Sequence, residues 1–209
     1  MADSQRPKVG VGVIIHDAAG NIVMGERAGS AHGRGTFQCP GGHLEHGETF
    51  AETAVREVRE ETGLEVGHVR FLTATNDVFE EEEGLRKHYV TVFVTCSIVG
   101  EDKVSKSMEP HKCAAWEWVP WSQMWAWAKA QAEAEAPPPP PKDKLEDDKA
   151  QPEAQPKIEP KPLEKKMFLP LVNLYREYPE LEHCLLWRAS AHDERKGSEA
   201  ISGWSSRHW

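Results

Sequence analysis

The sequence predicts an α+β fold: a mixed central sheet layered between helices as an α/β/α sandwich, with a Pro-rich insertion ahead of a C-terminal helix. Three observations carry that expectation. Short apolar runs of strand character recur between turn signals through the first 120 residues. One long capped amphipathic stretch at 49–62 interrupts them. An abrupt change to proline and charge after Ala136 then separates this body from a last apolar segment of helical spacing.

Val9-Gly10-Val11-Gly12-Val13-Ile14-Ile15 has the unbroken apolar pattern of a buried strand, and Asp17-Ala18-Ala19-Gly20-Asn21 turns it into a second strand, Ile22-Val23-Met24. Gly35-Thr36-Phe37-Gln38 is a short strand running into Cys39-Pro40-Gly41-Gly42-His43, read as a glycine turn. A Gly pair after Pro permits close backbone approach to a metal or phosphate. Two further strands are expected at 68–78 and 88–95, joined by a polar hairpin of Glu80 to Glu83 with Gly84, and a last one at 115–119. Residues 121–134 read as a helix with an inward-packing aromatic end. The core is thus expected over 8–135. Residues 136–166 are expected to be a Pro-rich charged linker, too poor in large apolar side chains to offset its ordering entropy. A helix at 167–182, through Leu171, Leu174, Tyr175 and Tyr178, should dock on the core, followed by a polar tail at 183–209.

The helix at 49–62 is the chemically informative element. Thr49 and Glu52 form a Thr-x-x-Glu capping box, and Gly63 stands where a left-handed C-terminal residue belongs. Ala51, Ala54, Val55, Val58 and Thr62 are expected to make the core-facing stripe. Glu57, Glu60 and Glu61, at i, i+3 and i+4, are expected to share the neighbouring face. Like charges so placed cost each pair about 0.2–0.5 kcal/mol, a cost a structural helix avoids. A divalent cation needs them together, because Mg²⁺ takes hard carboxylate oxygens. Glu57, Glu60 and Glu61 are therefore the expected metal ligands and catalytic acids, with the Gly41 carbonyl as a further oxygen. Mg²⁺ is the expected ion, with Mn²⁺ as substitute.

Composition bounds the rest. The 209 residues carry a formal charge of −9, which excludes polynucleotide binding by bulk charge. No apolar run approaches the ~18 residues of a membrane span, and the N-terminus lacks a signal-peptide core, so a soluble cytosolic protein is expected. Cys39, Cys96, Cys113 and Cys184 are expected to be reduced and buried. Cys39-x3-His43-x2-His46 lacks a fourth ligand and is not read as a zinc site.

Gly42, Glu48 and the run Arg56-Glu57-Val58-Arg59-Glu60-Glu61-Thr62-Gly63-Leu64, at these spacings, resemble the Nudix box of hydrolases that cut nucleoside diphosphates linked to another moiety. Every fixed position of that box is present, and the wider resemblance spans about 8–121. The resemblance implies that Glu57 and Glu61 hold metal most directly, and that one carboxylate of the set helps deprotonate the attacking water. It implies that Glu48 and Arg56 are a structural ion pair and that Glu109 is an extra acid from a later loop. It places Arg27 and Gly42 against substrate phosphate. Segments 9–13, 37–45, 88–91 and 109–121 resemble the MutT-like subgroup, in particular the animal enzyme acting on oxidised and thiopurine guanine nucleotides and its cytosolic plant relative. That implies hydrolysis of a small-molecule nucleotide, dGTP/GTP or an oxidised guanine nucleotide, to monophosphate and pyrophosphate, by a homodimer. The competing expectations are an NADH or dinucleotide pyrophosphatase, and a Nudix module that senses a nucleotide without cutting it.

Overall fold

A computed structural model of the chain describes residues 6–29, 32–79, 87–101, 104–137 and 163–183. The hairpin expected at 80–84, most of the insertion, Cys184 and nearly all of the tail lie outside these residues. The fold is α+β. One sheet has the order β4 (Gly41–His43), β1 (Lys8–Ile15), β6 (His88–Ile98), β5 (Val66–Val78), and is mixed: β1 runs antiparallel to β4 but parallel to β6. The second sheet, β3 (Phe37–Gln38), β2 (Asn21–Arg27) and β7 (Cys113–Pro120), is antiparallel.

Side-chain alternation decides the layers. Val11, Val13 and Ile15 of β1 and Val92, Val94 and Cys96 of β6 face α1 (Phe50–Thr62), packing on its Ala54 and Val58. Ile14 and Phe93 face the other way. They join Trp121, Met124 and Trp125 of α2 (Trp121–Ala134) and Leu171, Val172 and Leu174 of α3 (Leu169–Glu177). The result is a sheet between helical layers. Trp121 and Trp125 are fully buried, with ring centroids 5.0 Å apart.

The chain around α3 is tied down by backbone as well as by burial. Phe37 N–H donates to the Lys166 carbonyl at 2.7 Å, and Phe168 N–H returns to the Phe37 carbonyl at 2.9 Å, an extra bridge beside β3. The buried Met167 N–H donates to Gln131 Oε1 of α2 at 2.7 Å. A segment more than 125 positions along the chain from β3 is thereby fixed beside it.

Two expectations need correction. Residues 41–43 are not a bare turn but strand β4, paired with β1. Pro40 carries the chain from one sheet to the other, with the Val13 N–H donating to its carbonyl at 2.8 Å. Glycine is required at 41, where φ is +150° and a Cβ would lie 2.1 Å from the Val11 carbonyl oxygen. The core-facing stripe of α1 is also rotated from the expected one. Thr53, Ala54, Val58, Glu61 and Thr62 are buried, whereas Ala51 and Val55 are exposed. The buried face thereby includes one of the acids, Glu61.

Candidate active site

That rotation builds the acid part of the site. Successive helical residues differ by about 100° in direction. Glu61 shares the side of Ala54 and Val58 and is 8% exposed, and Glu57 lies one turn before it at the rim of the same cleft. Glu60 points outward, its side chain 57% exposed, into a separate surface groove. Glu57 and Glu61 line the cleft, while Glu60 is the more exposed acid, joined to Glu57 through the shared Arg56 Nη1.

The helix frame holds these acids firmly. Thr49 caps its N-terminus, with both arms of the Thr49–Glu52 capping box made, and Gly63 closes it at φ 70°. Arg56 makes a two-pronged pair with Glu48, Nε to Oε1 at 2.7 Å and Nη2 to Oε2 at 2.9 Å. Its Nη1 reaches Glu57 Oε1 at 2.7 Å and Glu60 Oε2 at 3.5 Å, and its Nη2 donates to the His43 carbonyl at 3.1 Å. One guanidinium thus ties the 43–48 loop to two of the acids. The pairing with Arg56 holds the Glu48 carboxyl down at about 2.

Glu61 has no such partner. Its Oε2 accepts the Gly41 N–H at 3.0 Å, but burial pushes its carboxyl up to about 7, and the negative Glu57 and Glu109 push in the same direction. Glu109 itself pairs with Lys112 at 2.8 Å, and Lys112 lines the cleft. Gly42 is pressed against Glu57: a Cβ there would lie 2.1 Å from Glu57 Oε1. Among the described residues no three His, Cys, Asp or Glu side chains converge as a preformed cation cage. The arrangement is instead a carboxylate pair with a backbone N–H beside it.

The cleft has a volume of about 330 Å³, within the range of small-molecule sites. Part of its wall is aromatic. Phe79 packs on Phe168 at 5.3 Å between centroids and edge-on to Tyr89 at 6.0 Å and His32 at 4.5 Å. Arg27 lines the same cleft. Its guanidinium carbon stands 4.3 Å from the Phe168 ring centroid, Nε donates to the His32 carbonyl at 2.7 Å, and Nη1 donates to Gln38 Oε1.

The NUDIX domain model matches residues 6–140. The chain belongs to the Nudix family. Among curated proteins, it is 32% identical over 77 residues to an RNA pyrophosphohydrolase of Pseudoalteromonas atlantica, covering 37% of this chain and 42% of that protein. It is 37% identical over 75 residues to an RNA pyrophosphohydrolase of Shewanella frigidimarina, covering 36% and 41%. The chain thus spans less than half the length of these relatives. Among solved structures, a MutT NUDIX hydrolase from Burkholderia pseudomallei aligns over 56% of this chain and 85% of its own, at 23% identity and a TM-score of 0.49.

The Nudix box supplies only the acid part. Of the residues singled out in the sequence, Gly41, Gly42, Glu57, Glu61 and Arg27 line one cleft, and Glu109 sits behind its Lys112. Glu60 lines the neighbouring groove together with Glu48 and Arg56. The aromatic wall and Lys112 were not found by sequence reading. Phe168 had a helix-docking role there, and its ring contacts with Phe79 bridge 89 positions of chain that no local pattern connects. Lys112 had a local signal, the Glu109-x-x-Lys112 spacing.

Proposed function

We propose that this Nudix protein is a divalent-metal-dependent hydrolase that cleaves a nucleoside triphosphate, dGTP/GTP or an oxidised guanine nucleotide, to the monophosphate and pyrophosphate. The observation that carries the reading is the shared cleft: the buried Glu61 and half-buried Glu57 line it together with the aromatic rings of Phe79, Tyr89 and Phe168.

The donor set fits a hard cation. Every offered atom is oxygen, Glu61 is buried beside two other negative groups, and the missing side chain of Gly42 lets the Glu57 carboxylate lie against the backbone. Mg²⁺, or Mn²⁺ in its place, would be held by Glu57 and Glu61 with the Gly41 carbonyl, and Glu60 and Glu109 are flanking acids. When bound, such a cation neutralises phosphate charge and acidifies water. The chain's own contributions are separate. Arg56 orients Glu57, and the Gly41 N–H orients Glu61. Arg27, with Nε and Nη1 committed to His32 and Gln38, presents its remaining donors to phosphate alongside Lys112. One carboxylate of the set takes the proton of the attacking water. Phe79, Tyr89 and Phe168 offer ring faces to a base.

The same chemistry on a 5′-triphosphorylated RNA is the second reading, favoured by the names of the curated relatives. The formal charge of −9 weighs against a polyanion partner. The resemblance of segments 9–13, 37–45, 88–91 and 109–121 to the MutT-like subgroup supports a cytosolic homodimer. The test incubates pure protein with Mg²⁺ and a panel of dNTPs, 8-oxo-dGTP, NADH and triphosphorylated RNA, with and without EDTA. Pyrophosphate release from a nucleotide, abolished by EDTA, is the expected result; undiminished turnover in EDTA, or none with any substrate, refutes the proposal.

A further inference from the structure

Asp77, on β5, is fully buried and takes no part in the chemistry just proposed. Its carboxylate collects three hydrogen bonds. Oδ2 accepts from Thr75 Oγ1 at 3.0 Å and from Thr91 Oγ1 at 2.5 Å, and Oδ1 accepts from Asn173 Nδ2 at 2.8 Å. The Asn173 amide is oriented independently. Arg176 Nη1 reaches its Oδ1 at 3.3 Å, and a guanidinium only donates, so the amide nitrogen must face Asp77.

One arm of this network ends at the cleft and the other on the helix beside it. Thr91, opposite Thr75 in the β5–β6 ladder, lines it next to Gly10, where a Cβ would stand 3.9 Å from Thr91 Oγ1. A hydroxyl has one proton. With that proton given to Asp77, Thr91 offers the cleft only lone pairs. Asn173 lies on α3, the helix whose first turn supplies Pro170 and Leu171 to the cleft and which follows directly on Phe168. One carboxylate thus fixes the hydrogen-bonding polarity of one wall and the seat of another.

We infer that Asp77, without touching substrate, is the positioning residue that sets base selectivity, by making Thr91 an acceptor that favours a base presenting an N–H donor, as guanine does at N1, over one presenting a lone pair there, as adenine does. The inference rests on the nucleotide reading above. A buried acceptor facing an acceptor leaves both unpaired, and such a mismatch is worth about tenfold or more in affinity.

The test compares wild type with Asp77→Asn, a near-isosteric change that lets an amide donate to Thr91 and turns the Thr91 proton toward the cleft. Two quantities are read: the dGTP to dATP ratio of kcat/KM, and the dGMP to dAMP ratio of Kd by calorimetry, which needs no turnover. Wild type should prefer guanine in both. Asp77→Asn should reduce each preference about tenfold, through KM, with kcat for dGTP within a few-fold of wild type. Thr91→Ser should keep the preference and Thr91→Val should lose it. These carry the comparison should Asp77→Asn fail to fold. A merely structural role lowers both substrates alike and leaves the ratios fixed; fixed ratios overturn the inference. So does wild type that binds the two monophosphates equally, or neither. Guanine-selective binding without turnover would instead sink the hydrolase proposal and leave the role of Asp77 to the binding ratios.

Discussion

Glu61→Gln is the perturbation that tests whether the acid part of the site is organised as described. In the metal-free protein the Glu61 carboxyl is raised from 4.5 to about 7, chiefly by burial. At about 1.4 kcal/mol per pH unit, this corresponds to on the order of 3 kcal/mol. The sign follows from proton counting. Between pH 4.5 and 7 the folded protein holds a proton on Glu61 that the unfolded chain has released, so stability falls as pH rises through this window. The favourable contribution is complete below pH 4.5 and lost above 7. Gln has the same shape, keeps an acceptor for the Gly41 N–H and never ionises. Denaturant unfolding in EDTA from pH 4.5 to 8 is the assay. Wild type and variant should be similar in stability at the acid end, and the variant should pull ahead by ~3 kcal/mol at pH 8. Added Mg²⁺ should close most of that gap, since a ligand that binds only the folded state stabilises it, by about 2.7 kcal/mol at a hundred times its Kd. Parallel curves in EDTA would show that ionised Glu61 is not under strain, and equal Mg²⁺ stabilisation of both proteins would show that it is not a ligand.

Glu48 titrates in the opposite sense. Its carboxyl is held at about 2 by Arg56, so its contribution to stability is present above pH 4.5 and disappears as pH falls toward 2; Glu48→Gln should flatten the acid limb of the stability–pH curve without shifting the neutral one. Gly42→Ala should leave the unfolding midpoint nearly unchanged while lowering kcat by at least ~10-fold. The nearest atoms to the new methyl are those of the Glu57 carboxylate, 2.1 Å away, which it must displace, and misplaced groups cost rate steeply. Phe168→Ala should raise KM for nucleotide about tenfold through lost stacking, with kcat little changed. A matching loss in kcat would move Phe168 out of the base site.

The legible parts of this molecule are those whose causes are local. The capping box at Thr49 and Glu52, the left-handed Gly63, and the alternation through β1 and β6 each follow from residues within a turn or a strand of one another. The rotated face of α1 marks where that reasoning ends. Helical periodicity places Glu57 and Glu61 on one side, but whether that side meets the core depends on how the helix is seated on the sheet. The sheet edge is set by β4, a strand of three residues too short to show a period. Glu61 is therefore more deeply buried than a carboxylate stripe beside the core suggests, and its raised proton affinity follows from that depth rather than from helical spacing.

The aromatic wall was illegible for a different reason. Phe79, Tyr89 and Phe168 come together only because β5 pairs with β6 and residues 166–168 pair with Phe37 across more than 125 positions of chain. In sequence each reads as one more core residue. The same non-local pairing gives Asp77 its environment: Thr75 and Thr91 meet it across the β5–β6 ladder and Asn173 from a helix 96 positions away. The acids that align with the Nudix box report the reaction class, because metal chemistry needs them at fixed helical spacing. The groups that choose a substrate need no fixed spacing, since each sits on a different element, and only the assembled fold identifies them. On that reasoning, substitutions at Asp77, Asn173 or Phe168 should change which nucleotide is used, and those at Glu57 or Glu61 whether any is cut.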